Sequence, residues 1–268
     1  MDEAISLNPA PPLLAADEPP AAALVNPAGA ADLVLCCDHA SNRVPRKLGD
    51  LGVAADQFNR HIAYDIGAEA VTRRLSASLD ARAVIAGYSR LVVDLNRPPG
   101  HPDGMPNISD KTVIPANRGL TPGARAERLD QLFDPYHNLL RQALSGVWAE
   151  RRPPALFSVH SFTASMGDTP RPWDVGVLWN RDPRIARPII KALHDEGLDV
   201  GDNLPYSGRE LAYTINVHGA AQGLANCVIE INQDQVRDEA GQARWADILH
   251  RVLTLMIADD GLFRVELH

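Results

Sequence analysis

The stretch LVLCCDHASN, residues 33–42, decides the fold class. Its first five residues form an apolar run without polar alternation, which is typical of a central strand covered by helices on both faces of a sheet. Asp38 and His39 follow at the expected end of that strand. Because ligands bind outside the carboxyl ends of strands in open α/β sheets, this junction is a candidate functional site.

Strand and helix patterns alternate on both sides of this run, as they do in α/β proteins. Residues 1–30 are rich in Ala and Pro and are predicted to form an N-terminal tail or arm, which leaves 31–268 as one domain. We therefore predict a three-layer α/β/α sandwich around a mixed, mostly parallel sheet. Further strands are predicted at ARAVIAG (81–87), SRLVVDL (89–95), ALFSVH (155–160), DVGVLW (174–179) and NCVIEIN (226–232), and helices at 60–79, 122–150, 183–196 and 238–258.

Composition limits the classes of partner. The 268 residues carry 26 Lys and Arg against 34 Asp and Glu, a formal net charge of −8, so neither nucleic acid nor an anionic membrane is expected to bind. No apolar run approaches the roughly 20 residues of a membrane-spanning helix, and the first residues lack a signal-peptide pattern, so a cytoplasmic location is predicted. Cys36, Cys37 and Cys227 match no disulfide or metal spacing and are predicted to be buried thiols.

Residues 97–119 are rich in Pro, Gly, Asn and Asp. This segment is too long for an ordinary connection between a strand and a helix, and long loops of this kind commonly carry function. We therefore expect it to form part of a pocket wall.

Polar side chains end or interrupt several of the predicted strands. A buried carboxylate such as Glu230 needs a cation, a metal ion or hydrogen bonds to meet it. Two imidazoles and a nearby oxygen donor at strand ends can form an open Zn²⁺ site, in which a free carboxylate serves as general base. The alternative for Glu230 is a structural ion pair with Arg90 or Arg97. The polar residues concerned are His39, His160, Glu230, Arg90, Asp94, Asn96 and Arg97.

Six segments, in order, resemble the N-formylglutamate amidohydrolase family. That family is similar in turn to the zinc carboxypeptidase and aspartoacylase group, so the resemblance implies a zinc carboxypeptidase-like (phosphorylase/hydrolase-like) fold. It also implies one Zn²⁺ ion as cofactor and a small anionic N-acyl amino acid as partner. The segments are CDHASNRVP (37–45), AYDIGAEAV (63–71), YSRLVVDLNRP (88–98), SVHSF (158–162), NLPYSG (203–208) and VIEIN (228–232).

The resemblance also implies metal ligands. His39 and His160 would bind zinc. Where the carboxypeptidase pattern has a metal-binding Glu, this chain has Asn42, which is a neutral and weaker ligand. We place Asn42 ahead as the third ligand and expect Asp65 to support the site, either as an alternative oxygen ligand or as a partner of a histidine.

The remaining roles follow from the same resemblance. Glu230 would be the general base and Arg90 the stabiliser of the oxyanion, while Asn96 and Arg97 would clamp the carboxylate of the substrate. Asp94 is expected to orient an arginine without touching the substrate. Three further residues are candidate substrate contacts, namely His218, Arg209 and Tyr213.

Three functions are compatible with these residues. The first is hydrolysis of N-formyl-L-glutamate, or a close relative, to formate and L-glutamate. The second is a carboxypeptidase-like or cell-wall-peptide amidase, in which the 97–119 loop stays open to admit a peptide. The third is a binding protein whose metal site is degenerate because of Asn42, so that an anion is held but not cleaved. The sequence does not indicate an oligomeric state.

Overall fold

The computed structural model of the protein describes residues 12–268. Its strands are β1 (Ala22–Val25), β2 (Leu33–Cys37), β3 (Arg82–Ala86), β4 (Ile108–Ser109), β5 (Thr112–Val113), β6 (Ala155–Phe162), β7 (Ser165–Met166), β8 (Thr169–Pro170), β9 (Val175–Leu178), β10 (Val200–Asp202) and β11 (Asn226–Asn232). Its α-helices are α1 (Ala68–Ser78), α2 (Pro122–Arg128), α3 (Asp134–Glu150), α4 (Ala186–Asp195), α5 (Tyr213–His218) and α6 (Glu239–Ile257). Short 3-10 helices lie at Arg46–Leu48, Ala55–Asn59, Pro102–Gly104, Pro115–Asn117, Ala220–Gln222, Gln233–Gln235 and Asp260–Phe263.

A seven-stranded sheet with the order β1-β3-β2-β6-β11-β9-β10 forms the centre of the part that the structure describes. The four strands β3, β2, β6 and β11 run parallel, β9 is antiparallel to β11, and β1 is antiparallel to β3. Helices α1, α4 and α6 pack together on one face, whereas α3 and α5 pack on the other. The predicted three-layer α/β/α sandwich with a mixed, mostly parallel sheet is confirmed.

The central strands are buried along their whole length because helices cover both faces. All five residues of β2 and all eight of β6 are buried. Because neither face of such a strand contacts solvent, polar residues are not favoured at alternate positions, and the sequences are nearly continuous apolar runs. Polar residues within or just after these strands therefore stand out as candidates for function.

Part of the predicted N-terminal tail or arm packs on the domain. Residues 22–25 form β1, an edge strand hydrogen-bonded to β3, and Leu13 is fully buried. Gly87 allows this close approach, because a Cβ at that position would lie 2.3 Å from the carbonyl oxygen of Pro20. The paired backbone of β1 and the burial of Leu13 hold residues 12–30 against the domain. The part of the predicted tail at residues 1–11 lies outside the described residues.

The predicted strand at 89–95 is wrong. This apolar segment is buried but irregular, and its amides bond to loops and not to a neighbouring strand: Ser89 N–H donates to Arg43, and Asp94 N–H donates to Gly104. The backbone turns on itself where Val92 N–H donates to the carbonyl of Ser89. Burial alone thus explains the apolar pattern, and the turn carries Arg90 and Asp94 toward the end of the sheet.

The other predicted elements are present with shifted ends. The predicted helix at 60–79 is confined to α1, because Gly67 adopts a left-handed φ of 79° at its start. The predicted helix at 122–150 is continuous but contains a π-helical stretch at Leu129–Phe133 between α2 and α3. Its N-cap is Thr121, whose hydroxyl accepts a hydrogen bond from Ala124 N–H. The three cysteines are buried and free, as predicted.

Among residues 12–268, no helix combines the length and apolar character needed to cross a bilayer. The cytoplasmic location stays a prediction.

Candidate active site

Three central strands deliver the main polar residues of the site to one end of the sheet. Asp38 and His39 follow β2, His160 lies in β6 and Glu230 lies in β11. All four are buried, with exposures of 1%, 2%, 2% and 8%. Since β2, β6 and β11 are parallel neighbours, their carboxyl ends converge, and segments far apart in the sequence meet there.

Asp65 reaches the same place from the loop before α1. Its backbone N–H donates to the carbonyl of His39 at 2.9 Å, which ties the loop to the end of β2. Ser161 fixes the other side, because its hydroxyl donates to the carbonyl of Ile66 at 2.8 Å. The left-handed Gly67 then turns the chain into α1, so Asp65 stays at the sheet end with an exposure of 3%.

His39, Asp65 and His160 form a cluster that can hold a metal ion. One ligand atom from each residue lies within 4.8 Å of the other two. Oδ2 of Asp65 lies 2.7 Å from Nδ1 of His160 and 3.4 Å from Nδ1 of His39. Both imidazoles therefore direct Nδ1 toward the same carboxylate oxygen. Two nitrogens and one carboxylate are a donor set suited to catalytic zinc, which keeps a further position open.

The outer nitrogen of each imidazole faces a second buried carboxylate. Nε2 of His39 lies 2.8 Å from Oδ1 of Asp94, and Nε2 of His160 lies 3.0 Å from Oδ2 of Asp38. Carboxylates placed in this way hold the proton on Nε2 and leave Nδ1 free to bind a metal. The donor set and its outer carboxylates together fit a divalent cation.

The carboxylates and imidazoles shift each other's pKa values. Burial alone would raise the pKa of Asp38, but hydrogen bonds and charge from His160 outweigh burial and lower it to about 2. Burial would likewise raise the pKa of Asp65, yet the two histidines hold it well below its ordinary value. Burial lowers and the carboxylates raise the pKa of His160, and the carboxylates prevail. The carboxylates of Asp38 and Asp65 therefore stay ionised, as a ligand of a metal ion must be.

Glu230 behaves differently from the other acids of the site. Its Oε2 is buried and has no hydrogen-bond partner among the described residues. Burial is the main cause that raises the pKa of Glu230 to about 7, and the charge of His160 opposes it. A carboxylate with this pKa and an unused oxygen can accept a proton near neutral pH and return it, as a general base and acid must.

Arg90 brings positive charge to the same cavity. Its Nη2 donates to Oδ2 of Asp94 at 2.7 Å, and its Nη1 lies 3.5 Å from Oδ1 of Asp65. Although burial opposes the charged form, these carboxylates raise the pKa of Arg90 further above its already high value. Asp94 thus contacts both Arg90 and His39, and it couples the guanidinium to the histidine.

Asn96 and Arg97 stand side by side on the wall of the cavity. Oδ1 of Asn96 accepts a hydrogen bond from Thr214 N–H at 3.0 Å, which fixes the side-chain amide. Arg97 donates from Nη1 to the carbonyl of Asn96, while its Nε is buried without a partner. A buried donor without an acceptor is costly unless a ligand meets it, so this pair is suited to bind an anion.

These residues surround a cavity of about 110 Å³. Most of its walls are polar, and the candidate metal ligands, Glu230 and both arginines share it. The lining residues are His39, His61, Asp65, Arg90, Asn96, Arg97, His160, Ser161, Phe162, Thr163, Tyr206, Leu211, Glu230 and Gln233.

Asn42, predicted as the third metal ligand, does not line this cavity. Its side-chain amide donates to the carbonyl of Phe58 at 2.9 Å and so supports a loop. The structure brings Asp65 to the histidines in its place, which reverses the predicted order of the two residues. The physical reason is that the Asn42 amide is bonded to the loop at Phe58, whereas the backbone of Asp65 is hydrogen-bonded to His39 at the sheet end.

The three further candidate contacts also lie outside the cavity. Arg209 is exposed, and its Nε points at the carbonyl of Asn180. Tyr213 packs against Phe133. His218 is buried and stacks on His137, with Nε2 of His218 2.9 Å from Nδ1 of His137.

Two residues of the site have roles that the sequence did not predict. Tyr206 lines the cavity, and its hydroxyl accepts a hydrogen bond from Arg171 at 2.9 Å. The NLPYSG segment is part of the family resemblance, but a Tyr between Pro and Ser carries no chemical signal of its own. Asp38 adjoins His39 in the sequence and binds His160, and only the pairing of β2 with β6 explains that contact.

Comparisons with known proteins concern the fold and the family of the chain. Residues 31–237 match the family model for N-formylglutamate amidohydrolase. The gene product Atu2144 from Agrobacterium tumefaciens is similar in structure, with a TM-score of 0.87, 33% identity, and coverage of 92% of this chain and 98% of that chain. The N-formylglutamate amidohydrolase from Ralstonia eutropha gives a TM-score of 0.67 at 18% identity, covering 88% of this chain and 97% of that chain, which supports the fold alone. No match was found among curated proteins.

Proposed function

Because the chain belongs to the N-formylglutamate amidohydrolase family, we propose that it hydrolyses N-formyl-L-glutamate, or a closely related N-acyl acidic amino acid, with the help of one zinc ion. The observation that supports this proposal is that a candidate metal-binding cluster and a candidate general base line the same cavity. His39, Asp65 and His160 converge within 4.8 Å, and beside them Glu230 keeps a buried oxygen without a partner.

His39, Asp65 and His160 would hold the ion. In such a site zinc polarises the carbonyl of the amide and lowers the pKa of water. The protein supplies the orientation of the ligands, because Asp94 and Asp38 hold Nε2 of the two imidazoles at 2.8 and 3.0 Å. A metal ion bound at Nδ1 would replace the proton there, and Asp94 and Asp38 would keep the other ring proton on Nε2.

Glu230 acts as general base and then as general acid. It removes a proton from the attacking water, whose oxygen bonds to the acyl carbon, and it later transfers that proton to the leaving nitrogen as the C–N bond breaks. Formate and L-glutamate result from N-formyl-L-glutamate and water. The raised pKa of Glu230, about 7 because of burial, suits a group that must both accept and return a proton.

Arg90 stabilises the negative charge that develops on the carbonyl oxygen. Its guanidinium is held in place by Asp94 and needs no rearrangement when the charge appears. Asn96 and Arg97 bind the carboxylate of the substrate, which gives the buried Nε of Arg97 an acceptor.

The alternative of a non-catalytic binding protein depended on Asn42 as a weak ligand. The contact of Asp65 with both histidines replaces that neutral amide by a carboxylate and removes the reason for a degenerate site. The structure therefore favours an enzyme over a binding protein.

The proposal is tested by measuring formate release from N-formyl-L-glutamate by the zinc-loaded protein. We expect release that stops after chelation and returns when zinc is added, and much slower release from N-formyl-L-leucine, which lacks the acidic side chain. Release that continues after complete removal of metal would exclude the metal-dependent mechanism. A fully zinc-loaded protein that releases no formate would exclude this substrate.

A further inference from the structure

A second, larger cleft opens directly beside the catalytic cavity. It has a volume of about 640 Å³, and it shares His61, Thr163 and Gln233 with the cavity. The cleft and the cavity therefore adjoin at these three residues. A formyl group consists of one carbon and does not need such a space, so the cleft calls for a separate explanation.

The cleft is built by segments added to the central sheet. The hairpin β4–β5 contributes Asp110 and Lys111 at its tip, where both adopt left-handed φ angles of 39° and 64°. The hairpin β7–β8 contributes Gly167 at its tip, with φ of 57°. Arg237 lies in the connection between β11 and α6. The predicted functional loop at 97–119 thus supplies one wall through its hairpin.

Positive charge exceeds negative charge along the cleft. Two of its arginines are already paired, Arg60 with Asp110 and Arg237 with Asp234. Lys111 is exposed and forms no ion pair among residues 12–268. One ammonium group is left unpaired in a cleft of a chain whose net charge is −8, which is the arrangement expected for an anionic ligand.

The cleft and the carboxylate clamp at Arg97 lie at different parts of the site, because Arg97 lines the catalytic cavity but not the cleft. The carboxylate clamp at Arg97 borders a different cavity, shared with Pro98 and Phe133, and that cavity has no lining residue in common with the cleft. If the amine portion of the substrate is held at Arg97, the acyl portion extends from the metal ligands past His61 and Gln233.

We propose that this cleft binds the acyl portion of substrates longer than an N-formyl amino acid, and that it selects acyl chains ending in a carboxylate. The inference rests on the proposed amide hydrolysis and assigns its substrate class. For N-glutaryl-L-glutamate, the oxygen of water would bond to the glutaryl carbonyl carbon, the C–N bond would break and the nitrogen would receive the proton. The products are glutarate and L-glutamate.

The test compares two acyl chains of equal length. N-glutaryl-L-glutamate ends in a carboxylate, whereas N-pentanoyl-L-glutamate ends in a methyl group. We expect the zinc-loaded protein to hydrolyse the glutaryl compound with a kcat/KM about tenfold higher, the size of one favourable charge interaction. Lys111→Gln should lower this ratio about three- to tenfold. The matched control Lys191→Gln, which alters a lysine on α4, should leave the ratio unchanged.

A binding measurement separates this inference from the proposed function. Calorimetric titration of the Glu230→Gln variant with both compounds reports recognition without turnover. Preference for the glutaryl compound that depends on Lys111 supports the subsite even if wild-type hydrolysis fails, which would overturn only the proposed function. Hydrolysis of N-formyl-L-glutamate together with equal binding and equal turnover of the two longer compounds would overturn the subsite alone.

Discussion

Glu230 lies directly opposite His160 in the parallel pairing of β11 with β6. The candidate base and a candidate metal ligand are therefore at the same level of adjacent strands, and both face the same cavity. Because side chains alternate between the two faces of a sheet, a shift of one residue in this register would turn one of the two groups into the opposite layer. The backbone pairing itself thus fixes the relation between base and metal site.

The first prediction concerns Glu230. Glu230→Gln keeps the shape of the side chain but removes the basic oxygen, so kcat for formate release should fall by about 10²- to 10⁴-fold, the usual contribution of a general base. Zinc content should stay near one ion per chain, because Glu230 is not among the three clustered ligands. Metal analysis and steady-state kinetics on the same preparation check both parts.

A matched control for this variant is Glu196→Gln, which removes a surface carboxylate paired with Arg251. It should leave turnover unchanged. Turnover of Glu230→Gln within a few fold of the wild type would remove Glu230 from the mechanism, and loss of zinc from this variant would show that Glu230 is a ligand.

A second prediction distinguishes Asp65 from Asn42 as the third ligand. Asp65→Asn should lower zinc affinity by more than about 100-fold, since outer partners of a ligand alone account for about 10- to 100-fold. Asn42→Ala removes only the hydrogen bond to the carbonyl of Phe58 and should leave zinc affinity unchanged. Competition with a chromophoric chelator measures both affinities. The opposite ranking of the two variants would restore Asn42 as the ligand.

The sequence predicts the central strands well because buried strands have recognisable apolar sequences. The runs at 33–37, 155–160 and 226–232 are mostly apolar, with few polar interruptions, and each is a central strand. The apolar pattern gave a wrong prediction at 89–95, where residues 91–93 are apolar and buried but the backbone turns back on itself. Hydrophobicity indicates only that a segment is buried. Whether the segment forms a strand or a turn depends on its backbone hydrogen-bond partners, which lie elsewhere in the chain.

The sequence predicted only those site residues that lie in strands or directly after them. His39, His160 and Glu230 follow or occupy apolar runs, so their positions in the sheet could be inferred from the pattern. Asp65 could not be ranked above Asn42, because its position depends on hydrogen bonds from the loop to His39 and Ser161. Contacts of this kind join residues distant in sequence and leave no periodic signal.

Asp38 is predicted to position His160 for metal binding. In Asp38→Asn, the side-chain amide can donate to Nε2 of His160, which would move the ring proton to Nδ1 and block that nitrogen. Zinc affinity should therefore fall about 10- to 100-fold. Thr214→Val is the control, because Thr214 donates to the other oxygen of Asp38 and does not contact the imidazole.

Thermal unfolding of metal-free Asp38→Asn and Thr214→Val distinguishes an effect on the orientation of His160 from a general loss of stability. Both substitutions disturb the same buried carboxylate, so both are expected to lower the melting temperature. A fall in zinc affinity of equal size in Thr214→Val would indicate a structural role for Asp38 and no role in orienting His160.

The carboxylate clamp is tested at Arg97. Arg97→Lys keeps the charge but removes the planar fork, so KM for N-formyl-L-glutamate should rise about tenfold with little change in kcat. Initial-rate kinetics give both constants. A fall in kcat at unchanged KM would place Arg97 with the groups that act in the transition state, as proposed for Arg90.

The last prediction concerns acid stability and the stacked pair of His137 and His218. Nε2 of His137 donates to the carbonyl of Leu95, so its Nδ1 accepts the hydrogen bond from Nε2 of His218. Burial, and next the neighbouring His137, lower the pKa of His218 from 6.5 to about 4. The unfolded chain thus binds a proton on His218 between these pH values that the folded protein does not.

The neutral His218 ring makes its full contribution to the free energy of unfolding above pH 6.5, and this contribution is lost as the pH falls toward 4. His218→Gln retains a side-chain amide but does not titrate, so its free energy of unfolding should fall less than that of the wild type between pH 7 and pH 4.5, by about 1–2 kcal/mol. Urea unfolding at both pH values measures this difference, with His194→Gln on α4 as the matched control. Equal losses in wild type and His218→Gln would show that the buried pair does not govern the acid sensitivity of the fold.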